Sequence, residues 1–197
     1  MGTTASPSDA VLIASSASDA DAFMPVFERH VDRIHRFLLG QVGGQAVEDL
    51  TSEVFLIAFR RRGDYDLRFA DAAPWLLGIA ANVARSHRRR MWRAAALLRR
   101  LGPDRAPDTE AEVDDRVTAL ASRSELRQAL ASLRPQEREV VLLSVVGELE
   151  HRDIARALGI AEGTVRSRLH RGRTALQAAL TEPGHGIAHH EAGESTL

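Results

Sequence analysis

Apolar residues recur along this chain at intervals of three and four, as they do in helices that bury one stripe. From Asp21, the positions Phe23, Val26, Phe27, Val31, Ile34, Phe37 and Leu38 mark a first helix, which stops near Gly40, Gly43 and Gly44. A second runs from Ala46 to Arg62, AVEDLTSEVFLIAFRRR, with Val47, Leu50, Val54 and Ile57 on one side. Phe55, Leu56 and Phe59 fall largely on the other side. This helix is therefore apolar nearly all round, which suits an element central to its domain or partly exposed for a partner. A loop at 63–74 carries Tyr65 and Phe69. Pro74 then opens a third helix with Trp75, Leu76, Ile79 and Val83 inward.

Further along, Leu126, Leu130 and Leu133 mark another helix. Pro135 restarts the chain with Glu137 and Glu139 in its first turn, followed by Val140, Val141, Leu143 and Val145. The stretch Glu150 to Leu176 reads as two helices joined by a tight turn. Ile154, Ala155 and Leu158 give the first its apolar face, and Gly159 follows where a helix would stop. For the second, from about Ala161, a turn of about 100° per residue puts Val165, Leu169, Gly172 and Leu176 on one narrow stripe. Gly163, Ser167, His170, Arg171 and Thr174 fall opposite, with Thr164 beside them and Arg166 and Arg168 on the flanks. A face of small, hydrogen-bonding and cationic residues fits a DNA major groove, where short polar groups reach base edges and Arg holds phosphates. A helix that is merely soluble mixes its charges, whereas here no acid follows Glu162 while Arg166, Arg168, Arg171 and Arg173 do.

Strand-like alternation is hard to find and aromatics make up only 5%, so the expected class is all-α, and 197 residues allow one ordinary domain or two small ones. The net charge of −1 hides a strong segregation. Arg85 to Arg100 holds seven Arg and no acid; Asp104 to Arg116 holds six acids and two Arg. An electrostatic footprint is local, so these blocks matter more than their sum. They also suggest an organisation: a mobile lead-in at 1–20, a helical domain at 21–93, a flexible acidic linker at 94–124, a second helical domain at 125–181, and a disordered tail at 182–197.

With no cysteine, disulfides, thiol chemistry and Cys-based zinc sites are excluded. Asp49 and Glu53 share a flank at i, i+4, but no His or third carboxylate joins them, so contact with a protein partner is favoured over a metal. The tail histidines His185, His189 and His190 make at most a weak metal site. No metal, cofactor or small-molecule substrate is expected. No apolar run reaches the ~20 residues of a membrane span, and the N-terminus lacks a secretory pattern. A cytoplasmic protein without membrane insertion is expected. Tyr65 and Phe69 in the loop, Asn82 in the helix after it, and the cluster Arg85, Arg88, Arg89 and Arg90 together suit single-stranded or duplex-edge nucleic acid. Bases there stack on rings while Arg holds the backbone.

Four motifs in this order and spacing, VEDLTSEVFLIAF, PWLLGIAANVARSHRRR, LRPQEREVVLL and DIARALGIAEGTVRSRLHRGR, resemble the sigma-70 family of bacterial RNA polymerase sigma factors, in its extracytoplasmic-function (ECF) group. The resemblance covers roughly Phe23 to Arg93 (sigma-2-like) and Leu126 to Leu180 (sigma-4-like helix-turn-helix). It implies that Asp49, Leu50, Glu53, Val54 and Phe55 dock on core RNA polymerase, at the clamp helices of the largest subunit, and that the flap region is a second contact. It implies that Tyr65, Phe69, Asn82, Arg85, Arg88, Arg89 and Arg90 serve opening of the −10 promoter element. Gly163, Thr164, Arg166, Ser167, Arg168, His170 and Arg171 would read the −35 element. The acidic linker would thread the polymerase channels, and an anti-sigma factor is an expected partner.

Ser52, Ala81, Ser86 and the pair Glu150-His151 depart from the residues common in the family, so promoter sequence does not transfer from a relative. Two other readings compete. A stand-alone helix-turn-helix repressor or activator would use 126–180 and leave the 46–62 helix without a task. An enzyme acting on nucleic acid would need a carboxylate or His constellation that the sequence does not contain.

Overall fold

The computed structural model describes residues 6–100 and 117–181; among them are eight α-helices, two short 3-10 turns and no strand. The all-α expectation holds. Helices α1 (Asp9–Ser15), α2 (Met24–Val42), α3 (Val47–Arg60) and α4 (Ala73–Arg100) make an amino-terminal unit. Helices α5 (Val117–Ser132), α6 (Pro135–Val145), α7 (His151–Leu158) and α8 (Glu162–Thr181) make a carboxy-terminal one.

In the first unit, the predicted stripes meet as a three-helix core. Val26, Ile34, Phe37 and Leu38 of α2 pack with Val47, Leu50, Val54 and Ala58 of α3 and with Leu76, Leu77, Ala80 and Val83 of α4, all buried. The apolar residues on the second side of α3 are accounted for as well. Phe55 meets Phe27 edge-on with centroids 4.7 Å apart, and Phe59 meets Phe23 at 5.5 Å. Of that side only Leu56 stands clear, 48% exposed. In the second unit, Gly159 ends α7 at φ 64, a left-handed conformation that glycine adopts without a Cβ penalty. Val165, Leu169 and Gly172 seat α8 on the core as its wheel requires.

Two segments and the relation of the units differ from the sequence reading. The lead-in expected to be mobile contains α1, because Ser8 caps its first turn and Leu12 and Ile13 bury against the bundle. The linker expected from residue 94 is shorter, since α4 continues through the helix-forming run Ala94–Leu98 to Arg100 and α5 begins at Val117. Residues 101–116, which hold the acidic run, and 182–197, the tail, lie outside the described residues. Finally, the two units are not merely tethered. Leu142, Leu143 and Ile154 join the same buried cluster as Leu76 and Leu77. Gly78, in the middle of α4, lets the backbone of α7 come so close that a Cβ there would lie 2.8 Å from the Ala157 carbonyl oxygen.

A buried polar strap fixes the start of α4. Asp9 on α1 receives hydrogen bonds from Arg29 Nη1 (2.7 Å) and the Ala72 backbone N–H (2.9 Å), and sits 2.7 Å from His30 Nε2. Nearby, Asp71 Oδ1 accepts from the Ala73 N–H at the beginning of α4 (2.9 Å). Asp9, His30 and Asp71 lie close enough together to suggest a metal, but these carboxylates already accept protein donors and a guanidinium sits on Asp9. Burial pushes the Asp9 carboxyl up, yet the His30 contact, the Ala72 N–H and Arg29 outweigh it and hold the group at about 2.

A carboxyl depressed in the fold stabilises above its unfolded value of 3.8 and loses that contribution as pH falls toward about 2. Asp9→Ala should therefore cost about 3 kcal/mol at neutral pH, because it leaves buried His30 and the Ala72 N–H without their acceptor and removes the partner of partly exposed Arg29. In urea titrations, the gap between the two proteins should close as pH drops from 4 toward 2.

Candidate nucleic-acid interface

The loop at 62–72 is built from local ties. Tyr65 donates its hydroxyl hydrogen to the Phe69 carbonyl oxygen (2.6 Å), and its ring lies on Trp75 with centroids 5.1 Å apart. Burial and the charges of Asp9 and Asp71 push the Tyr65 phenol up to about 12, so it stays a neutral donor. The Asp66–Arg68 ion pair, at 2.6 Å, closes the turn between them. Beside this loop lies a cavity of about 300 Å³, lined by Phe69, Trp75, Ile79 and Asn82 from the first unit and by Arg156 and Ala157 from α7.

The structure brings Tyr65, Phe69 and Asn82 together as expected, with a qualification: Tyr65 is buried and forms the floor, while Phe69 and Asn82 offer the accessible surface. Along α4, the arginines divide. Arg85 donates to Asn82 Oδ1 (2.7 Å) and its Nε lies 3.5 Å from Glu139 of α6. Arg88 turns inward onto Gln41 Oε1 (2.5 Å). Arg90 lies 3.7 Å from Glu53, while Arg89 faces outward.

On α8, Gly163, Arg166, Ser167 and His170 are exposed and Thr164 is half-buried. They form one continuous polar face. Ser167 donates to the Thr164 carbonyl oxygen (3.0 Å), which orients its hydroxyl along the helix. The other two residues of the set turn aside. Arg171 Nε donates to Glu137 (3.0 Å), and Arg168 points toward the cleft that holds Glu139.

Of the residues expected to dock on polymerase, Asp49 is exposed and Glu53 partly so. Leu50, Val54 and Phe55 are buried, because the 3.6-residue period that forms α3 turns them to α2 and α4. They pack behind the surface that carries Asp49 and Glu53, and exposed Leu56 is the apolar group next to the two acids.

Sequence reading missed the groups that join the units. The Arg156 guanidinium of α7 stacks over the Phe69 ring at 3.6 Å while paired with Asp153 (3.0 Å). Glu139, read only as a first-turn acid, is 2% exposed between the units. One signal was available: a glycine inside an otherwise strong helix, at 78, usually marks a close approach.

With this geometry in place, comparison with known proteins is decisive. Sigma-70 region 2 matches residues 26–94, and Sigma-70 region 4 matches 123–176. The chain is 39% identical over 165 residues to RNA polymerase sigma factor CarQ of Myxococcus xanthus, covering 82% of this chain and 91% of that one. The chain belongs to the sigma-70 family. Relatives named as ECF sigma factors place it in that group. SigL of Mycobacterium tuberculosis is 31% identical over 173 residues, covering 86% of this chain and 95% of SigL. The fold is shared with CnrH solved in complex with the cytosolic domain of CnrY (TM-score 0.65, 23% identity, 87% of this chain and 96% of that one). It is shared equally with RpoE solved with the anti-sigma factor NepR from Bartonella quintana (TM-score 0.65, 21% identity, 81% and 97%). A stand-alone helix-turn-helix regulator would account for the second match only; the region 2 match removes that alternative.

Two substitutions test the seam of this sigma factor. Gly78→Leu should wedge α7 from α4, which would appear as a larger radius of gyration in solution scattering. Arg156→Ala should uncover Phe69 and strengthen binding of the free protein to a single-stranded oligonucleotide by about fivefold, within the range expected of one ring–base stack.

Proposed function

We propose that this sigma factor binds core RNA polymerase and directs promoter-specific initiation, with α8 reading −35 duplex and the α4 end of the first unit opening the −10 element. Residues 21–93 are the docking and −10 unit and 125–181 the −35 unit. Asp49, Glu53 and Leu56 are the exposed docking groups on the clamp helices of the largest subunit, with the flap region the contact of the second unit. Phe69 and Asn82 receive an unstacked base while Arg89 and Arg90 hold nearby backbone. Gly163, Thr164, Arg166, Ser167 and His170 face the base edges of the −35 major groove. The protein acts in the cytoplasm, catalyses no reaction itself, and takes an anti-sigma factor as a regulatory partner. No helix among the described residues is long and apolar enough to cross a membrane.

The observation that carries this reading is the pairing, in one chain, of an aromatic cavity beside an arginine-rich helix with a helix-turn-helix whose second helix carries four Arg and no acid after Glu162. Their arrangement adds a condition. The −35 and −10 elements are roughly 25 base pairs apart, about 85 Å at 3.4 Å per pair. Two units that share one core cannot span that distance. The closed arrangement is therefore the form of the protein away from the promoter, and polymerase must hold the units apart. Once both units rest on one enzyme, two modest contacts gain from effective concentration, and base capture offsets an unstacking cost of about a few kcal/mol.

Run-off transcription with purified core polymerase over a genomic fragment library tests the function and returns the promoter. The isolated protein should bind that promoter weakly and the holoenzyme tightly; specific nanomolar binding by the free chain would count against the reading. Asp49→Ala with Glu53→Ala should abolish run-off product while the thermal melt stays within a few degrees of the parent, because both side chains lie at the surface.

A further inference from the structure

Between the two units, further along α4 toward its carboxy-terminal end, lies a second and larger cleft of about 640 Å³. That size falls within the range of small-molecule sites. Arg85, Arg88, Arg89 and Arg93 line it from α4, and Arg168 from α8. Glu139 is the one acid among its lining residues. Among the described residues, Arg outnumbers acid there five to one. Arg89, Arg93 and Arg168 make no hydrogen bond or ion pair among the described residues. Burial pushes the Arg88 guanidinium down; Glu139 pulls it back, and the charges of Arg85 and Arg89 push it down again.

Two further groups narrow the ligand. Trp92 stands at the rim, 74% exposed, and offers a ring face without a partner ring. Glu139 is 2% exposed, and its Oε1 has no hydrogen-bond partner; the nearest cation, Arg85 Nε, is 3.5 Å away. Arginines call for phosphates, Trp92 for a flat ring, and the Glu139 oxygen for an N–H or O–H donor. A nucleotide supplies all three, and inorganic polyphosphate only the first.

We propose that this interdomain cleft is a binding site for a nucleoside polyphosphate, with the arginines on the phosphates, Trp92 on the base and Glu139 accepting from a base or ribose donor. The site is independent of the polymerase. Because its walls come from both units, the bound nucleotide favours the closed arrangement and competes with DNA for Arg89.

Isothermal titration of the full-length protein with ATP, GTP and tripolyphosphate tests this, with thermal melting alongside. Saturable one-to-one binding of at least one nucleotide, with a raised melting temperature, is expected; tripolyphosphate should bind about tenfold more weakly, lacking a ring to stack. Trp92→Ala should remove that advantage, and Arg93→Glu should weaken all three ligands, each by about tenfold. Both residues are exposed on α4, so the variants should melt like the parent. Absence of saturable binding would overturn the proposal. So would equal affinity for tripolyphosphate, or nucleotide affinity that neither variant changes. A single-stranded oligonucleotide that binds far more tightly than any nucleotide, and loses that binding in the same variants, would assign the cleft to the DNA path instead.

Discussion

The backbone of α7 rests on α4 at Gly78, and most of what distinguishes this molecule follows from that contact. A side chain at 78 would collide with the Ala157 carbonyl oxygen. With none there, α7 settles into the groove, Leu142, Leu143 and Ile154 complete one apolar core with Leu76 and Leu77, and Arg156 arrives over Phe69. The close approach also sets the second cleft, because it brings Arg168 of α8 within reach of the arginines on α4 and leaves Glu139 enclosed among them.

Electrostatics pull the other way. Arginine crowds the meeting place of the two units, and Glu139 is nearly alone in balancing it there. Burial pushes the Glu139 carboxyl up, and Arg85, Arg88 and Arg168 draw it only part of the way back, so it stays above the usual carboxylate range. Such an arrangement is held by apolar contact and strained by like charge. A balance of that kind leaves the contact between the units sensitive to anything that changes the charge in the cleft, and an anion there would tip it toward closure.

The Asp9 strap fixes the loop that precedes α4. It ties α1, α2 and the loop before α4 through one carboxylate, so the short segment carrying Phe69 is held from behind by buried hydrogen bonds. The aromatic surface is thereby fixed in place while the loop itself stays on the outside, where a nucleic acid can reach it.

Much of this was legible from periodicity alone. The stripes of α2, α3, α4 and α8 are local properties of a helix with 3.6 residues per turn, and Val165, Leu169 and Gly172 sit where the wheel puts them. The outward faces follow from the same arithmetic, which is why Asp49, Asn82, Arg166, Ser167 and His170 were found as surface groups. Burial of Leu50 and Val54 was implied by that stripe too, but the motif resemblance assigned them to a partner; Phe55, on the other side of the helix, is covered only because Phe27 meets it. What sequence could not decide is anything that depends on two distant segments meeting. Asp9 looked like one acid in a polar lead-in until His30, Arg29 and the Ala72 N–H closed around it. Arg156 and Glu139 looked like ordinary helical charges until the seam placed one on an aromatic ring and enclosed the other. Sequence by itself determined the helices and the faces they offer, because both arise within a few turns of chain. Only the tertiary structure decided which of those faces are covered, because that depends on how closely two backbones can approach at a single glycine.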